Sequence, residues 1–291
     1  MESNQVRLIE CPRDAMQGWK DFIPTATKIE YLNTLLEVGF HTIDFGSFVS
    51  PKAIPQMADT KEVLAGIRKY GTTRLLAIIA NLRGAEEACS FPAIDFLGFP
   101  FSVSETFQQR NTNSSIASAY ELLKNIQQLC TNSKKQLVVY ISMGFGNPYG
   151  DPYSAEIVQS WAEKIAGLGV DIISLADTVG VADPVAVGRL TSFLIKEFPG
   201  IETGVHLHAT PYQWADKAQA ALDAGCRRID SAMKGIGGCP MANDDLVGNL
   251  DTEMLISYLR QRNLLVPLNE EALSRASAMA NMIFQSDNHS S

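Results

Sequence analysis

The chain has 291 residues, of which 46% are hydrophobic and 19% are charged, and its formal net charge is −8. This composition is typical of a packed globular protein and excludes an intrinsically disordered chain. The acidic balance argues against general binding to nucleic acid or to acidic membranes, because those surfaces repel the chain at long range. Five cysteines without a Cys-x-x-Cys pair favour free thiols in a reducing compartment, so we expect a cytoplasmic protein.

Short runs typical of strands alternate with longer amphipathic segments along the whole chain. Eight runs predict strands: VRLIE (6–10), TIDFG (42–46), RLLAIIA (74–80), AIDFLGF (93–99), QLVVYIS (136–142), DIISLAD (171–177), GVHLHAT (204–210) and RRIDSAM (227–233). Segments between them, such as SAYELLKNIQQLC and SAEIVQSWAEKIAGLG, repeat apolar residues at spacings of three and four and predict crossover helices. Eight such units predict an α/β fold, a (β/α)8 TIM barrel with a C-terminal helical extension.

The domain organisation follows from what is missing between these segments. No linker rich in Pro, Gly or Ser divides the chain, so we expect one domain over residues 1–285 and a disordered tail at 286–291. The first residues contain no apolar signal-peptide core, and no apolar stretch approaches the ~18 residues of a membrane span. We therefore expect no binding to membranes.

The run GVHLHAT places two of the four histidines one residue apart. An extended backbone directs residues i and i+2 to the same face, so His206 and His208 point into one space. Neutral imidazole is the commonest metal ligand, but two half-buried histidines satisfied by neighbouring hydrogen bonds would produce the same pattern. The run alone leaves both interpretations open.

Polar side chains cluster at the predicted C-terminal ends of the strands, where the reactive groups of a TIM barrel lie. They are Arg13, Asp14, Asp44, Asp177, Thr178, His206 and His208, and the eighth strand is followed by KGIGGCP and GNL. Asp14 and the two histidines form a set that suits a divalent cation with open positions for a substrate that chelates through oxygen. Taken singly, Asp177 and Asn249 are equally compatible with helix caps.

Several longer segments resemble the metal-dependent pyruvate-carboxyltransferase-like lyase and synthase superfamily, and within it the 3-hydroxy-3-methylglutaryl-CoA (HMG-CoA) lyase family. The segments are PRDAMQ (12–17), SFVSPKAIPQMAD (47–59), NLRG (81–84), GNPYGDP (146–152), SLADTVG (174–180), HLHAT (206–210), GIGGCPMA (235–242) and GNLDTE (248–253). The PRD and HxH segments are shared with the condensing synthases of the superfamily. The SFVSP and GGCP segments are more specific than the fold, and the GGCP segment favours the lyase.

The resemblance implies a divalent-metal-dependent lyase that cleaves HMG-CoA to acetoacetate and acetyl-CoA, and it suggests a homodimer. The implied ligands of Mg²⁺ or Mn²⁺ are Asp14, His206, His208 and Asn249. Arg13 is implied to stabilise the developing enolate oxygen of the thioester and, with Gln17, to bind the substrate, and Cys239 is implied to be the catalytic thiol of a mobile loop. Asp44 and Asp177 are the candidates for the base or for orienting the ligands.

Four positions depart from the family pattern. Cys11 and Ala15 replace glycines that usually flank the PRD motif, Asp44 replaces a glutamate, and Ala209 replaces an acid. The shorter side chain of Asp44 and the loss of the acid at Ala209 leave another 3-hydroxyacyl-CoA or a 4-hydroxy-2-oxo acid as an alternative substrate. A Claisen-type condensing synthase is a second alternative, which the short segment after the barrel disfavours. A degenerate barrel with a binding or scaffolding role is a third.

Overall fold

Eight parallel strands close into a barrel in a computed structural model that describes residues 4–238 and 247–285. The strands are β1 (Arg7–Glu10), β2 (Thr42–Ser47), β3 (Arg74–Ile78), β4 (Phe96–Ser102), β5 (Gln136–Ser142), β6 (Ile172–Asp177), β7 (Glu202–Leu207) and β8 (Arg228–Ser231). Each strand pairs in parallel with the next, and β8 pairs with β1. The predicted TIM barrel is confirmed.

Helices connect the strands around the outside of the barrel. Within the described ranges they are α1 (Pro12–Gln17), α2 (Thr25–Val38), α3 (Thr60–Gly66), α4 (Leu82–Cys89), α5 (Glu105–Thr112), α6 (Ile116–Ser133), α7 (Ala155–Ala166), α8 (Pro184–Glu197), α9 (Trp214–Asp223), α10 (Thr252–Gln261) and α11 (Glu270–Ile283). The extension after the barrel is helical as predicted, and α11 packs against α2. Each helix in the described part of the chain is too short or too polar to cross a membrane.

The fourth strand differs from its predicted position, 93–99, by three residues. It begins at Phe96, after a turn in which the Asp95 carboxylate accepts a hydrogen bond from the backbone N–H of Leu75 at 2.9 Å. It continues through Pro100, although proline donates no ladder hydrogen bond. The backbone polar groups of Gly98 and the backbone nitrogen of Pro100 point towards the same neighbouring strand, β3. The pairing of β3 with β4 ends at Gly98, so Pro100 has no ladder hydrogen bond to lose.

The barrel interior has an apolar half and a polar half. The apolar half comes from alternate residues of β3 to β6: Leu76, Ile78, Phe96, Val138, Tyr140 and Ile172. The other half contains buried charged side chains, among them Asp44 on β2 and Asp230 on β8. Because a fully buried charge is costly without partners, this half of the barrel is where a functional site is expected.

A single domain over residues 1–285 stays a prediction. The predicted disordered tail at 286–291 lies outside the described residues.

Candidate active site

Arg13 and Asp14 are placed by the short helix α1, which follows β1 directly. Pro12 occupies the first helical position, where its missing N–H costs no intrahelical hydrogen bond. Cys11 precedes the helix with φ −114°, which lies outside the left-handed region that favours glycine. Both Arg13 and Asp14 are buried and line one end of a cavity.

Arg13 connects two carboxylates. Its Nε and Nη2 donate to Oδ2 of Asp44 at 3.0 and 2.5 Å, and its Nη1 donates to Oδ1 of Asp14 at 3.1 Å and to Oε1 of Gln17 at 2.8 Å. A register shift in β2 immediately after Asp44 marks a β-bulge, a feature that frequently re-aims side chains beside active sites. Burial raises the pKa of Asp44 to about 6, and the guanidinium of Arg13 opposes that rise.

Asp14 lies between the arginine and an amide. Its Oδ1 accepts from Nε2 of Gln17 and its Oδ2 accepts from Nδ2 of Asn249, both at 2.7 Å. Burial disfavours ionisation of Asp14, but the charges of Arg13 and of the nearby histidine pair outweigh burial and hold the pKa of this carboxyl below its usual range. Asp14 is therefore an ionised, oriented carboxylate.

His206 and His208 present the same ring nitrogen to each other. Nδ1 of His206 lies 3.1 Å from Oδ2 of Asp230, and Nδ1 of His208 lies 3.0 Å from the carbonyl oxygen of Thr178. Because both partners accept hydrogen bonds, both Nδ1 atoms donate, and the lone pairs of the two Nε2 atoms face each other at 3.2 Å. The pair therefore needs a proton or a cation between the rings.

The electrostatics of the two rings differ. Burial, together with the charge of the neighbouring His206, lowers the pKa of His208 to about 4. Burial also disfavours the charged form of His206, but the hydrogen bond and the charge of Asp230 outweigh it and raise its pKa. His206 is thus the ring that carries the shared proton when no cation is present. An oxygen atom of Asp14 and a ring nitrogen of each histidine lie within 4.8 Å of one another, so these donors fit a divalent cation.

Asn249, in the segment that follows β8, lies beside Asp14 and His208. It forms an isolated antiparallel bridge with His208. Its Nδ2 donates to Asp14 and, at 2.9 Å, to the carbonyl of Ile236, so its Oδ1 is the atom left to accept or to ligate. A Cβ added to Gly237, which has φ +113°, would lie 2.4 Å from that Nδ2. The glycine segment before Cys239 therefore packs directly against these side chains, whereas Cys239 itself lies outside the described residues.

Asp177 occupies a different environment from Asp44. It is buried, and its Oδ2 accepts from Nζ of Lys217 at 2.7 Å while its Oδ1 accepts from the backbone N–H of Ala182 at 3.1 Å. Burial raises its pKa and the Lys217 ammonium opposes the rise. Side chains alternate across a strand, and here Ala176 and Thr178 line the cavity. The carboxylate expected as a candidate base therefore points away from the cavity into a buried ion pair.

The cavity has a volume of about 170 Å³ and is charged at one end and largely apolar elsewhere. The charged end contains Arg13, Asp14, Asp44, His206 and His208, with Gln17 beside them. Apolar residues from the loops and strands opposite include Val49, Ile54, Ile78, Pro100 and Phe107. Two partners of the site, Asp230 and Lys217, were missed from the sequence. The one available signal was for Asp230, which stands in the middle of the predicted strand RRIDSAM.

The HMGL-like family model matches residues 6–280. The chain belongs to the HMGL-like family. Among curated relatives, the mitochondrial hydroxymethylglutaryl-CoA lyase of Mus musculus is 34% identical over 273 residues, which cover 94% of this chain and 83% of that protein. The cytoplasmic 3-hydroxy-3-methylglutaryl-CoA lyase of Homo sapiens is 34% identical over 265 residues, which cover 91% of this chain and 71% of that protein.

Solved structures of HMGL-like proteins superpose over nearly the whole chain. An HMG-CoA lyase from A. baumannii, in complex with coenzyme A and 3-methylmalate, has a TM-score of 0.90 and 32% identity, covering 97% of this chain and 92% of that one. The HMG-CoA lyase of Brucella melitensis has a TM-score of 0.89 and 31% identity, covering 97% and 99%. The carboxyl transferase domain of Rhizobium etli pyruvate carboxylase, at 17% identity and a TM-score of 0.69, shares the fold alone.

Proposed function

We propose that this protein is a divalent-metal-dependent carbon–carbon lyase that cleaves HMG-CoA to acetoacetate and acetyl-CoA by retro-Claisen chemistry. The observation that carries the proposal is the convergence of Asp14, His206 and His208 beside Arg13 at the charged end of the cavity. The names of the relatives support the substrate, and the coenzyme A bound to the A. baumannii lyase supports an acyl-CoA. The condensing-synthase alternative is not favoured by these relatives.

Four residues would hold the cation, Mg²⁺ or Mn²⁺: Asp14, His206, His208 and Asn249. Carboxylate, imidazole and amide oxygen are ligands that suit these ions, and the carboxylate of Asp230 behind His206 gives the ring the orientation that metal-ligating histidines usually have. When bound, the cation supplies Lewis acidity, which lowers the pKa of a substrate hydroxyl group. The chain's own residues then have to bind the thioester and move one proton.

Arg13 would stabilise the negative charge that develops on the thioester oxygen. A guanidinium has five N–H donors, and four are used by the contacts with Asp44, Asp14 and Gln17. The fifth, on Nη2, has no contact among the described residues and belongs to a side chain that lines the cavity. A buried donor already fixed in place costs no reorganisation when the charge forms.

Asp44 would accept the hydroxyl proton. It lines the cavity, and its Oδ1 is buried without a hydrogen-bond partner among the described residues. A pKa of about 6 makes it mostly ionised at neutral pH and a competent base. Asp177 would instead orient the loop after β6, because Lys217 binds both this carboxylate and the carbonyl oxygen of His208, the latter at 2.9 Å. Cys239 would serve as the catalytic thiol, as the family resemblance implies.

The compartment and the assembly are further parts of the proposal. Free cysteines support a cytoplasmic enzyme, and a cytoplasmic lyase is among the relatives. We propose a homodimer on the family resemblance alone. Light scattering of the purified chain tests the dimer: a mass near 64 kDa supports it, because one chain is 31.8 kDa, and a mass near 32 kDa contradicts it.

The test of the activity is product release from HMG-CoA by protein stripped of metal with a chelator. We expect acetoacetate and acetyl-CoA in equal amounts after Mg²⁺ or Mn²⁺ is restored, and background release without it. Asp44→Glu restores the family's side chain and is assayed in parallel. If the wild type and Asp44→Glu both bind metal but neither cleaves HMG-CoA, the proposal that HMG-CoA is the substrate is contradicted. Other hydroxyacyl thioesters and 4-hydroxy-2-oxo acids are then assayed.

A further inference from the structure

Two cysteines contact each other where the C-terminal ends of α4 and α6 meet. Cys89 is the last residue of α4, and Cys130 lies in the last turn of α6. The two helices pack against each other. Their thiols form a hydrogen bond with each other, and both cysteines are in the reduced form. Neither cysteine takes part in the proposed reaction.

Lys135 ties the two chain segments together at this junction. Its backbone N–H donates to the carbonyl oxygen of Cys130 at 2.9 Å. Its ammonium group donates to the carbonyl oxygens of Phe91 and Ile94, at 3.0 and 2.6 Å, in the loop that follows Cys89. One residue thus bonds both to the helix end that carries one thiol and to the loop that follows the other. Lys135 therefore holds together the two chain segments that carry the thiols.

The two thiols have different environments. Cys89 is half-buried, whereas Cys130 is buried. The hydrogen bond from Cys130 lowers the pKa of Cys89 below its usual range against the effect of burial, with help from Ser133 and from the charge of Lys135. The same hydrogen bond, together with burial, raises the pKa of Cys130. An accessible thiolate beside a protonated thiol is the arrangement of an attacking and a resolving cysteine.

We propose that Cys89 and Cys130 form a redox pair that hydroperoxides oxidise reversibly to a disulfide. The Cys89 thiolate attacks one peroxide oxygen, the O–O bond breaks, and the other oxygen takes a proton and leaves as water, or as an alcohol from an organic hydroperoxide. The sulfur of Cys130 then attacks the sulfenic sulfur of Cys89, the S–O bond breaks, and the hydroxide leaves as water with the Cys130 proton. The thiols lose two electrons and the peroxide gains them.

The pair lies at the opposite end of the barrel from the candidate active site. The turns after α4 and α6 lead into the N-terminal ends of β4 and β5, whereas the cavity lies at the C-terminal ends of the strands. The inference is therefore independent of the proposed function. Its test needs no turnover measurement.

The test is oxidation of the native protein with hydrogen peroxide, followed by alkylation and peptide mass spectrometry. We expect a peptide pair that joins Cys89 to Cys130, two hydrogens lighter than the reduced peptides, and its complete loss after dithiothreitol. In Cys130→Ser the crosslink is lost and dimedone traps a sulfenic acid at Cys89. In Cys89→Ser the other thiol stays reduced. The matched control Cys226→Ser removes a buried thiol elsewhere and leaves the crosslink unchanged.

The pH dependence of alkylation separates a reactive pair from two cysteines that merely pack together. In the wild type, we expect the alkylation rate of Cys89 to reach half its maximum below the ordinary thiol value near 9, and in Cys130→Ala, which removes the hydrogen-bond donor, the midpoint should move towards that value. The same midpoint in both proteins contradicts the proposal. So does the absence of the crosslink at a peroxide concentration that oxidises other thiols of the chain. Circular dichroism verifies that each variant is folded.

Discussion

The Nε2 atoms of His206 and His208 lie 3.2 Å apart, with both Nδ1 atoms donating hydrogen bonds away from each other. Two ring lone pairs at this distance repel unless a positive charge lies between them. The carboxylate of Asp14 provides the third donor of the set. Together, these three donors support the proposed cation site over a pair of core histidines, the two interpretations that the sequence left open.

Asp230 supports the site by holding Nδ1 of His206. Asp230→Asn keeps a hydrogen-bond acceptor but removes the charge. Mutation of a residue that holds a metal ligand in this way lowers metal affinity by roughly 10–100-fold. We expect Mn²⁺ affinity, measured by the electron paramagnetic resonance signal of the free ion, to fall within that range. Asp171→Asn, at the N-terminal end of β6, is the control and is expected to bind as the wild type does. Equal affinity of the wild type and Asp230→Asn would show that Asp230 does not support the ligand.

Gly237 lies against the proposed ligands Asp14 and Asn249. A methyl group there would come within 2.4 Å of the Asn249 amide nitrogen and 2.9 Å of Oδ2 of Asp14, and Gly237→Ala is therefore expected to weaken metal binding and to abolish most turnover. Gly39→Ala is the matched control. Gly39 also has a positive φ, +90°, but its methyl group would meet nothing within 4 Å. If both variants lose stability alike and bind metal normally, the contact of the glycine segment with the ligands has no functional role.

The buried ion pair of Lys217 and Asp177 is expected to matter for stability. Lys217→Met leaves a buried carboxylate without its cation, which typically costs about 3–5 kcal/mol in the free energy of unfolding. The exposed pair of Arg189 and Glu156 supplies the control, because Arg189→Met is expected to cost about 0–1 kcal/mol. Urea unfolding monitored by fluorescence measures both. Adding Asp177→Asn to Lys217→Met should recover part of the loss, and no recovery would contradict an electrostatic origin.

Glu10 makes stability depend on pH. Burial raises its pKa to about 8, while its side chain accepts hydrogen bonds from the Met233 N–H and the Thr252 hydroxyl. The folded state thus binds the proton more tightly than the unfolded chain, so this residue's contribution to stability is full below about pH 4.5 and is lost as the pH rises through 8. One pKa unit corresponds to about 1.4 kcal/mol. The free energy of unfolding of Glu10→Gln is therefore expected to exceed that of the wild type by at least about 1 kcal/mol at pH 8.5 and to match it near pH 4.

Urea titrations of both proteins across this pH range measure the difference. Glu62→Gln, on the exposed side of α3, is the control and should show no pH-dependent gain. A Glu10→Gln variant that is no more stable than the wild type at pH 8.5 would mean that Glu10 titrates normally.

The barrel was predictable because the number and order of its strands follow from local patterns. Alternation of β-rich runs with amphipathic segments gave the eight βα units, and the HxH spacing gave the shared direction of His206 and His208. Strand ends were less predictable, since Pro100 extends β4 only because β3 has already stopped pairing beside it. That is a property of a neighbouring strand and not of the residue.

The orientation of the carboxylates was not predictable from the sequence. Asp44 and Asp177 both lie in β-rich runs, but only Asp44 faces the cavity. The register of each strand decides which of its alternating side chains point into the barrel. Lys217, on α9, is remote in sequence from Asp177. Its buried ion pair therefore becomes visible only when the helix is packed against the barrel.

The most direct test of the account is a Mn²⁺ titration of chelator-treated protein in which bound ion and HMG-CoA cleavage are measured on the same samples. Asp14→Asn and His41→Ala are titrated in parallel, the latter as a histidine on the opposite end of the barrel. We expect cleavage to rise in proportion to bound Mn²⁺, to saturate at one ion per chain in the wild type and His41→Ala, and to be absent in Asp14→Asn. Cleavage that continues at full rate without bound ion, or in Asp14→Asn, would contradict it.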